Sequence, residues 1–243
     1  MSQNKILVTG ATAGIGLATA RALVEQGNRV VVTGRSQDKL ASVRHELGSD
    51  VVTLLCDNEN RDQVDALGSE LHKQGITLSG VVLNAGVFFP NALSETSHED
   101  FDKTIDTNFR APLFTIRSLL PVLENPASIV LISSLAVRKA FPQSSLYTAS
   151  KAALEGLMGV LNQDLADRGI RLNSIRPGVT ATEIQAKAGM DSESYAQLEQ
   201  SMAALPLGRM LTPEDMLPSI LMLLSEKTEG VRGAAIDVDA GFN

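Results

Sequence analysis

The stretch KILVTGATAGIG, residues 5–16, decides the fold. Its first half, KILVT, is aliphatic and β-branched, as a buried strand requires. Its second half sets Gly10, Gly14 and Gly16 ahead of a helical segment containing Ala18, Ala22 and Leu23. Strand, glycine turn and helix, in that order, open a βαβ unit. Glycines take backbone angles closed to other residues and let a ligand come close, and the free N–H groups at the helix start attract a pyrophosphate. The spacing is G-x3-G-x-G, which reads as a dinucleotide-binding turn; a tight turn without a ligand is the alternative.

Six more short segments resemble the first: RVVVTG (29–34), VVTLLC (51–56), GVVLN (80–84), SIVLIS (128–133), RLNSIR (171–176) and AAIDV (234–238). Most are continuously apolar and do not alternate, the pattern of parallel strands covered on both faces. Helical spacing fills the intervals. Leu40, Val43 and Leu47 lie between a capping Ser36 and Gly48, and Val64, Leu67 and Leu71 lie between Asn60 and Gly75. The expectation is an α/β fold, a doubly wound, seven-stranded parallel sheet in one domain over residues 1–243. Two intervals stand out. Residues 97–124 are long for one helix and contain Pro112, which should disturb the ladder just after Asn108. Residues 182–207 are long for a plain connection, and a substrate lid is expected there.

With 243 residues, 44% of them hydrophobic, the chain can bury a large core. Its formal net charge of −7 and lack of a basic cluster argue against nucleic acid as a partner. The single Cys56 excludes an intramolecular disulfide, and the opening MSQNKILVTG has no cleavage pattern. A spanning helix needs about 20 apolar residues in a row, and no such run is present. The reading is cytoplasmic, with no membrane contact and no metal.

The segment SSLYTASKAALEGLMGVL, residues 144–161, puts Tyr147 one helical turn before Lys151 among small and apolar residues. An ammonium there risks losing its hydration, which costs free energy unless something compensates. The alternative is that the lysine snorkels to solvent.

Read in order, TGATAGIG (9–16), LNAG (83–86), Asn108, ISS (132–134), YTASK (147–151) and RPGVTAT (176–182) give a chain that resembles the short-chain dehydrogenase/reductase family over nearly its whole length. The resemblance implies a Rossmann-like domain, a nicotinamide cofactor and a catalytic set of Asn108, Ser134, Tyr147 and Lys151, with Ser133 as second choice for the serine. Tyr147 would exchange the proton, Lys151 would lower its pKa and hold the nicotinamide ribose, Ser134 would hold the substrate carbonyl, and Asn108 would hold a relay water. Cofactor contacts would come from Gly10, Thr12, Gly14, Ile15 and Gly16, from Asp57 at the adenine, and from Asn84, Ala85 and Gly86 near the adenosine ribose. Tyr147, Lys151, Pro177, Gly178, Val179 and Thr182 would complete them at the nicotinamide. Asp57 has the alternative of a helix-proximal cap. Two departures touch the substrate loop and the C-terminal turn: SSLAVRKAFPQSS lacks a glycine common soon after the serine, and Ala240 stands where a second glycine is frequent.

Cofactor choice rests on the end of RVVVTGRS. Gly34 occupies the position where a carboxylate would bind the ribose of NAD, and Arg35 follows it. NADP is therefore expected over NAD, unless Arg35 only caps the next helix or pairs with Asp38. The resemblance implies an oxidoreductase acting on a small carbonyl or alcohol, and a homotetramer or homodimer packed through helices around 98–124 and 144–168. Two other readings are a cofactor-binding regulator or scaffold without turnover and a sugar-nucleotide epimerase or dehydratase. Phe88, Phe89, Leu135, Ala136 and Phe141 are candidate apolar walls, Tyr195 lies in the lid, and Arg138 and Lys139 face an anionic group or solvent.

Overall fold

A computed structural model describes residues 4–242. Seven strands, β1 (Lys5–Val8), β2 (Arg29–Gly34), β3 (Val52–Leu55), β4 (Leu78–Leu83), β5 (Leu123–Ile132), β6 (Arg171–Pro177) and β7 (Ala235–Val238), form one sheet in the order β3-β2-β1-β4-β5-β6-β7. Every pairing is parallel.

The sheet is covered on both faces, which is why its strands are apolar without alternation. Within β1, Leu7 belongs to one core with Leu67, Leu71, Ile116, Leu119, Leu154 and Met158. These come from α3 (Arg61–Lys73), α5 (Ala111–Leu119) and α6 (Ser145–Asp164). Ile6 and Val8 belong to the opposite core with Ala20, Leu23, Leu40, Val43, Ile220 and Leu223. Those come from α1 (Gly14–Glu25), α2 (Gln37–Leu47) and α9 (Leu217–Leu224). Successive strand residues point to opposite faces, so both sets must be apolar. The strand order reverses between β1 and β4, and a crevice opens outside the carboxyl ends of the strands at such a point.

The interval expected to be one disturbed helix is three pieces: α4 (His98–Ile105), a π-helical segment (Asp106–Arg110) and α5. Pro112 is the second residue of α5 and cannot donate to the Asn108 carbonyl one turn back. The widened turn, with the Ala111 N–H bonded to the Asp106 carbonyl, absorbs that missing bond and contains Asn108. Residues 182–207 are largely helical. α7 (Glu183–Lys187) starts at a capping box between Thr182 and Gln185, and α8 (Ser192–Met202) is capped by Asp191. No helix among the described residues is long and apolar enough to cross a membrane. Among the same residues no group of three or more His, Cys, Asp or Glu is placed to hold a metal ion.

Candidate active site

The crevice floor is laced by the residue that follows β1. Thr9 Oγ1 accepts the backbone N–H of Asn84 at 3.0 Å and of Ala85 at 3.2 Å, and Asn84 Nδ2 returns bonds to the carbonyls of Thr9 at 3.0 Å and Gly10 at 3.1 Å. The loops after β1 and β4 are thereby tied to each other. Gly10 has φ +61°, and a Cβ there would stand 2.8 Å from Ala85 Cα; at Gly16 it would stand 2.5 Å from Asn84 Nδ2. Only glycine permits this approach. Ala13, the N-cap of α1, offers no side-chain cap and the first turn has no acidic residue, so the first N–H groups and the positive end of the helix have no side-chain partner. These features fit a dinucleotide: a side-chain-free turn, an uncapped helix start and no carboxylate to repel a phosphate.

Around that turn, a Cβ at Gly34 would lie 2.6 Å from Thr12 Cγ2, and one at Gly14 would lie 3.2 Å from Thr182 Cγ2. The end of β2 and the root of α7 thus both press on the glycine loop, and Arg35 stands at its rim. Its side chain is 63% exposed and its nearest acidic partner is Glu59, at 3.9 Å, in place of the Asp38 considered from sequence. Asp57 Oδ1 accepts the Glu59 N–H at 3.1 Å in the turn after β3, while the cap of α3 is Asn60. On the far side, Gly178 lies against Asp239, where a Cβ would meet the Asp239 Cα at 2.9 Å, and Val179 accepts from the Leu211 N–H. Ala240, in the place of the frequent glycine, holds φ +61°, and the Asp239 carboxylate accepts the following Gly241 N–H at 2.9 Å. The turn survives the substitution at the cost of a left-handed alanine.

Lys151 does not snorkel. It is 3% exposed, and its Nζ donates to the Ile132 carbonyl at 2.8 Å. Burial pushes its pKa down to about 8, with Glu155 pulling it back up. Tyr147, one turn earlier in α6, has its ring 5.8 Å from Lys151 Nζ and 5.0 Å from the Phe88 ring. Burial raises the phenol above its usual range, and a hydrogen bond with the Ser134 side chain offsets part of that rise. Ser134 Oγ also accepts the Ala136 N–H at 3.1 Å, whereas Ser133 Oγ is buried with no protein partner. The structure thus joins Ser134, not Ser133, to Tyr147.

Asn108 is fully buried. Its Oδ1 accepts the Val87 N–H at 2.8 Å, and its Nδ2 donates to the Val87 carbonyl at 2.9 Å and to Ser150 Oγ at 3.1 Å. Both amide donors are spent on protein, so the side chain works as a strut between α6, the π segment and the loop after β4. A Cβ at Gly86 would stand 3.2 Å from both Asn108 Oδ1 and Lys151 Nζ, which explains the glycine there. Sequence reasoning missed Thr9, Ser150 and Glu155. Glu155, one turn beyond Lys151, carried a spacing signal; Thr9 and Ser150 carried none.

Residues 10–243 match a family model described as enoyl-(acyl carrier protein) reductase. A curated relative, dehydrogenase/reductase SDR family member 4 of Homo sapiens, is 34% identical over 98% of this chain and 87% of its own length. The 3-oxoacyl-(acyl-carrier-protein) reductase of Rickettsia felis is 31% identical over 97% and 95%, and the 3beta-hydroxysteroid dehydrogenase of Mediterraneibacter gnavus is 31% identical over 98% and 94%. Among solved structures, a dehydrogenase/reductase from Sinorhizobium meliloti superposes with a TM-score of 0.89 at 30% identity, covering 100% of this chain and 96% of that one. The chain belongs to the short-chain dehydrogenase/reductase family of oxidoreductases.

Proposed function

We propose that this protein interconverts a carbonyl and an alcohol, with NADP(H) as its preferred cofactor and Tyr147 as general acid and base. The observation that carries the reading is the buried Lys151 ammonium set one turn from a tyrosine whose hydroxyl bonds Ser134. A bound nicotinamide cofactor supplies or accepts the hydride. Tyr147 gives its phenolic proton to the substrate oxygen in reduction and, as tyrosinate, takes one in oxidation. Ser134 donates to the same oxygen and fixes its place. Lys151 provides the positive charge that a tyrosinate needs, and Asn108 keeps the loop after β4 and α6 in register. Gly10, Thr12, Gly14, Ile15 and Gly16 cradle the pyrophosphate, Arg35 takes the 2′-phosphate, and Asp57, Asn84, Ala85 and Gly86 border the adenosine. Pro177, Gly178, Val179 and Thr182 flank the nicotinamide.

The substrate class is a ketone or secondary alcohol on an apolar skeleton. Phe88 lies on Tyr147, Leu135 and Ala136 are buried beside Ser134, and relatives named for 3-oxoacyl and 3beta-hydroxysteroid substrates share that chemistry. Residues 182–207 serve as the lid of a single functional domain. The enzyme works in the cytoplasm as a homodimer or homotetramer whose contact faces include the exposed Phe101 and Val160. The test is a panel of apolar ketones and secondary alcohols followed by nicotinamide absorbance with both cofactors. Turnover, faster with NADPH than with NADH at limiting cofactor, is expected. Cofactor binding without turnover across the panel would favour the scaffold reading.

A further inference from the structure

Four loops leave the carboxyl ends of β4, β5, β6 and β7, and they are fastened to one another in series. The loop after β4, whose Phe88 lies on Tyr147, donates the Asn91 N–H to the Gln143 carbonyl in the loop after β5 at 3.1 Å. In that second loop, which runs from Ser133 to the start of α6, the Phe141 ring lies 5.6 Å from the Phe242 ring, tilted by 39°. Phe242 belongs to the short segment after β7. The same segment receives the end of the lid: the Leu207 N–H donates to the Ala240 carbonyl at 3.2 Å, and a Cβ on Gly241 would stand 2.6 Å from Pro206 Cγ. The segment after β7 is thus wedged between the lid and the loop after β5.

Backbone strain sits at the same joints. Gln143, at φ +59°, and Ala240, at φ +61°, are the two non-glycine residues with positive φ among the described residues. Each offers its carbonyl to a neighbouring loop, Gln143 to Asn91 and Ala240 to Leu207. A left-handed residue with a side chain costs free energy and persists where its surroundings over-determine it, and such residues gather at ligand clamps. Ser144 Oγ donates to the Phe141 carbonyl at 2.6 Å, which carries the hold to the N-cap of α6, three residues before Tyr147. The seat of the Phe242 ring therefore bears on the lid at one end and on the Tyr147 helix at the other.

We propose that Phe242 is a specificity-determining residue: its ring, seated on Phe141, sets the gap between the loop after β5 and the end of the lid, and with it the width of apolar skeleton that the site admits. The proposal deepens the functional reading and rests on it for the class of substrate. Truncating the ring leaves the partners of Tyr147, Ser134 and Lys151 in place and widens the gap, so it favours broad ketones over narrow ones. A merely structural role would lower the rates on both kinds alike.

The test compares wild type, Phe242→Ala and Phe242→Leu in the full-length protein, with cyclohexanone as the narrow ketone and the fused-ring 2-decalone as the broad one. Phe242→Ala should shift the ratio of kcat/KM, broad over narrow, by about tenfold toward the broad ketone and mostly through KM. Phe242→Leu, which keeps an apolar side chain on Phe141, should lie between. NADPH affinity should stay within about twofold, since the residues proposed to hold the cofactor are untouched. Amide hydrogen exchange, measured with neither substrate nor cofactor, should be several-fold faster in Phe242→Ala at residues 135–143 and 203–207 and unchanged in α3. An unchanged ratio, an equal loss of rate on both ketones, or unchanged exchange at both segments overturns the proposal. A wild type inactive on the whole ketone panel overturns the functional reading instead; faster exchange at both segments then still upholds the wedge, and unchanged exchange overturns it.

Discussion

Asn108 and Val87 hold each other by both ends of the peptide: the amide oxygen accepts the Val87 N–H at 2.8 Å and the amide nitrogen donates to the Val87 carbonyl at 2.9 Å. This clasp fixes the loop after β4 against the π segment beneath Lys151. Asn108→Ala leaves two backbone groups of Val87 without partners and Ser150 Oγ short of one donor. The variant should lose about 2–3 kcal/mol of stability in urea denaturation, more than a typical exposed substitution. A midpoint indistinguishable from wild type would show that the clasp carries no weight.

Tyr147→Phe removes the hydroxyl and leaves the ring against Phe88. Turnover should fall by about 10²–10⁴-fold while NADPH affinity stays within a few fold, as expected when a proton-transfer group is lost from a folded site. Because burial holds the phenol above its usual range, the acid form dominates at neutral pH, so carbonyl reduction should persist there and alcohol oxidation should rise with pH. Stopped-flow absorbance in both directions checks this. Near-wild-type rates in the variant would remove Tyr147 from the mechanism.

Lys151 costs the fold stability. Its folded pKa of about 8 lies below the unfolded value of 10.5, so the unfolded chain binds more protons between those limits. The penalty is fully present below pH 8 and is relieved as pH rises toward 10.5. Lys151→Met should therefore stabilise the protein at pH 7, by up to about 2–3 kcal/mol after the lost bond to Ile132 is counted, and the gain should shrink at pH 10. Melting temperatures at the two pH values test this; a destabilised variant at pH 7 would contradict it.

Arg35 is 63% exposed and weakly engaged by Glu59 at 3.9 Å, so its guanidinium is available at the rim. Arg35→Ala should weaken NADPH binding by about tenfold or more and leave NADH nearly unchanged, given the worth of charge-assisted bonds to a phosphate. Fluorescence titrations of both cofactors measure it. Equal losses for the two would take Arg35 out of cofactor choice.

Val160, on α6, is 60% exposed despite being aliphatic, and Phe101 on α4 is 47% exposed. If these faces pack in a homo-oligomer, Val160→Glu should place an unpaired charge in the contact and shift the mass seen by light scattering toward the monomer. A wild-type monomer at all concentrations would reject the assembly outright.

The layers, the strands and the glycine turn were legible in the chain alone, because they rest on local pattern. A strand buried on both faces must be continuously apolar, and a turn with φ +61° at Gly10 and +55° at Gly14 calls for glycine; both leave a mark in consecutive residues. The seven strands appear in the expected order, with ends moved by a few residues, most at β5, which begins at Leu123. The pairing of Tyr147 with Lys151 was legible for the same reason, one helical turn. Whether Lys151 was buried was not. Burial comes from β5, the π segment and the loop after β4 closing over α6, contacts between residues far apart in sequence. Between the adjacent hydroxyls of Ser133 and Ser134 the resemblance already favoured Ser134; what only the tertiary structure adds is the Tyr147 phenol beside the Ser134 side chain. The same dependence on tertiary structure holds for the ion pairs that join Glu155 to Arg176, Arg176 to Asp237 and Asp237 to Arg138, whose members lie on α6, β6, β7 and a loop. Periodicity in the chain specified which side chains share a face; long-range closure decided which of them lose water, and with it the direction in which their proton affinity moves.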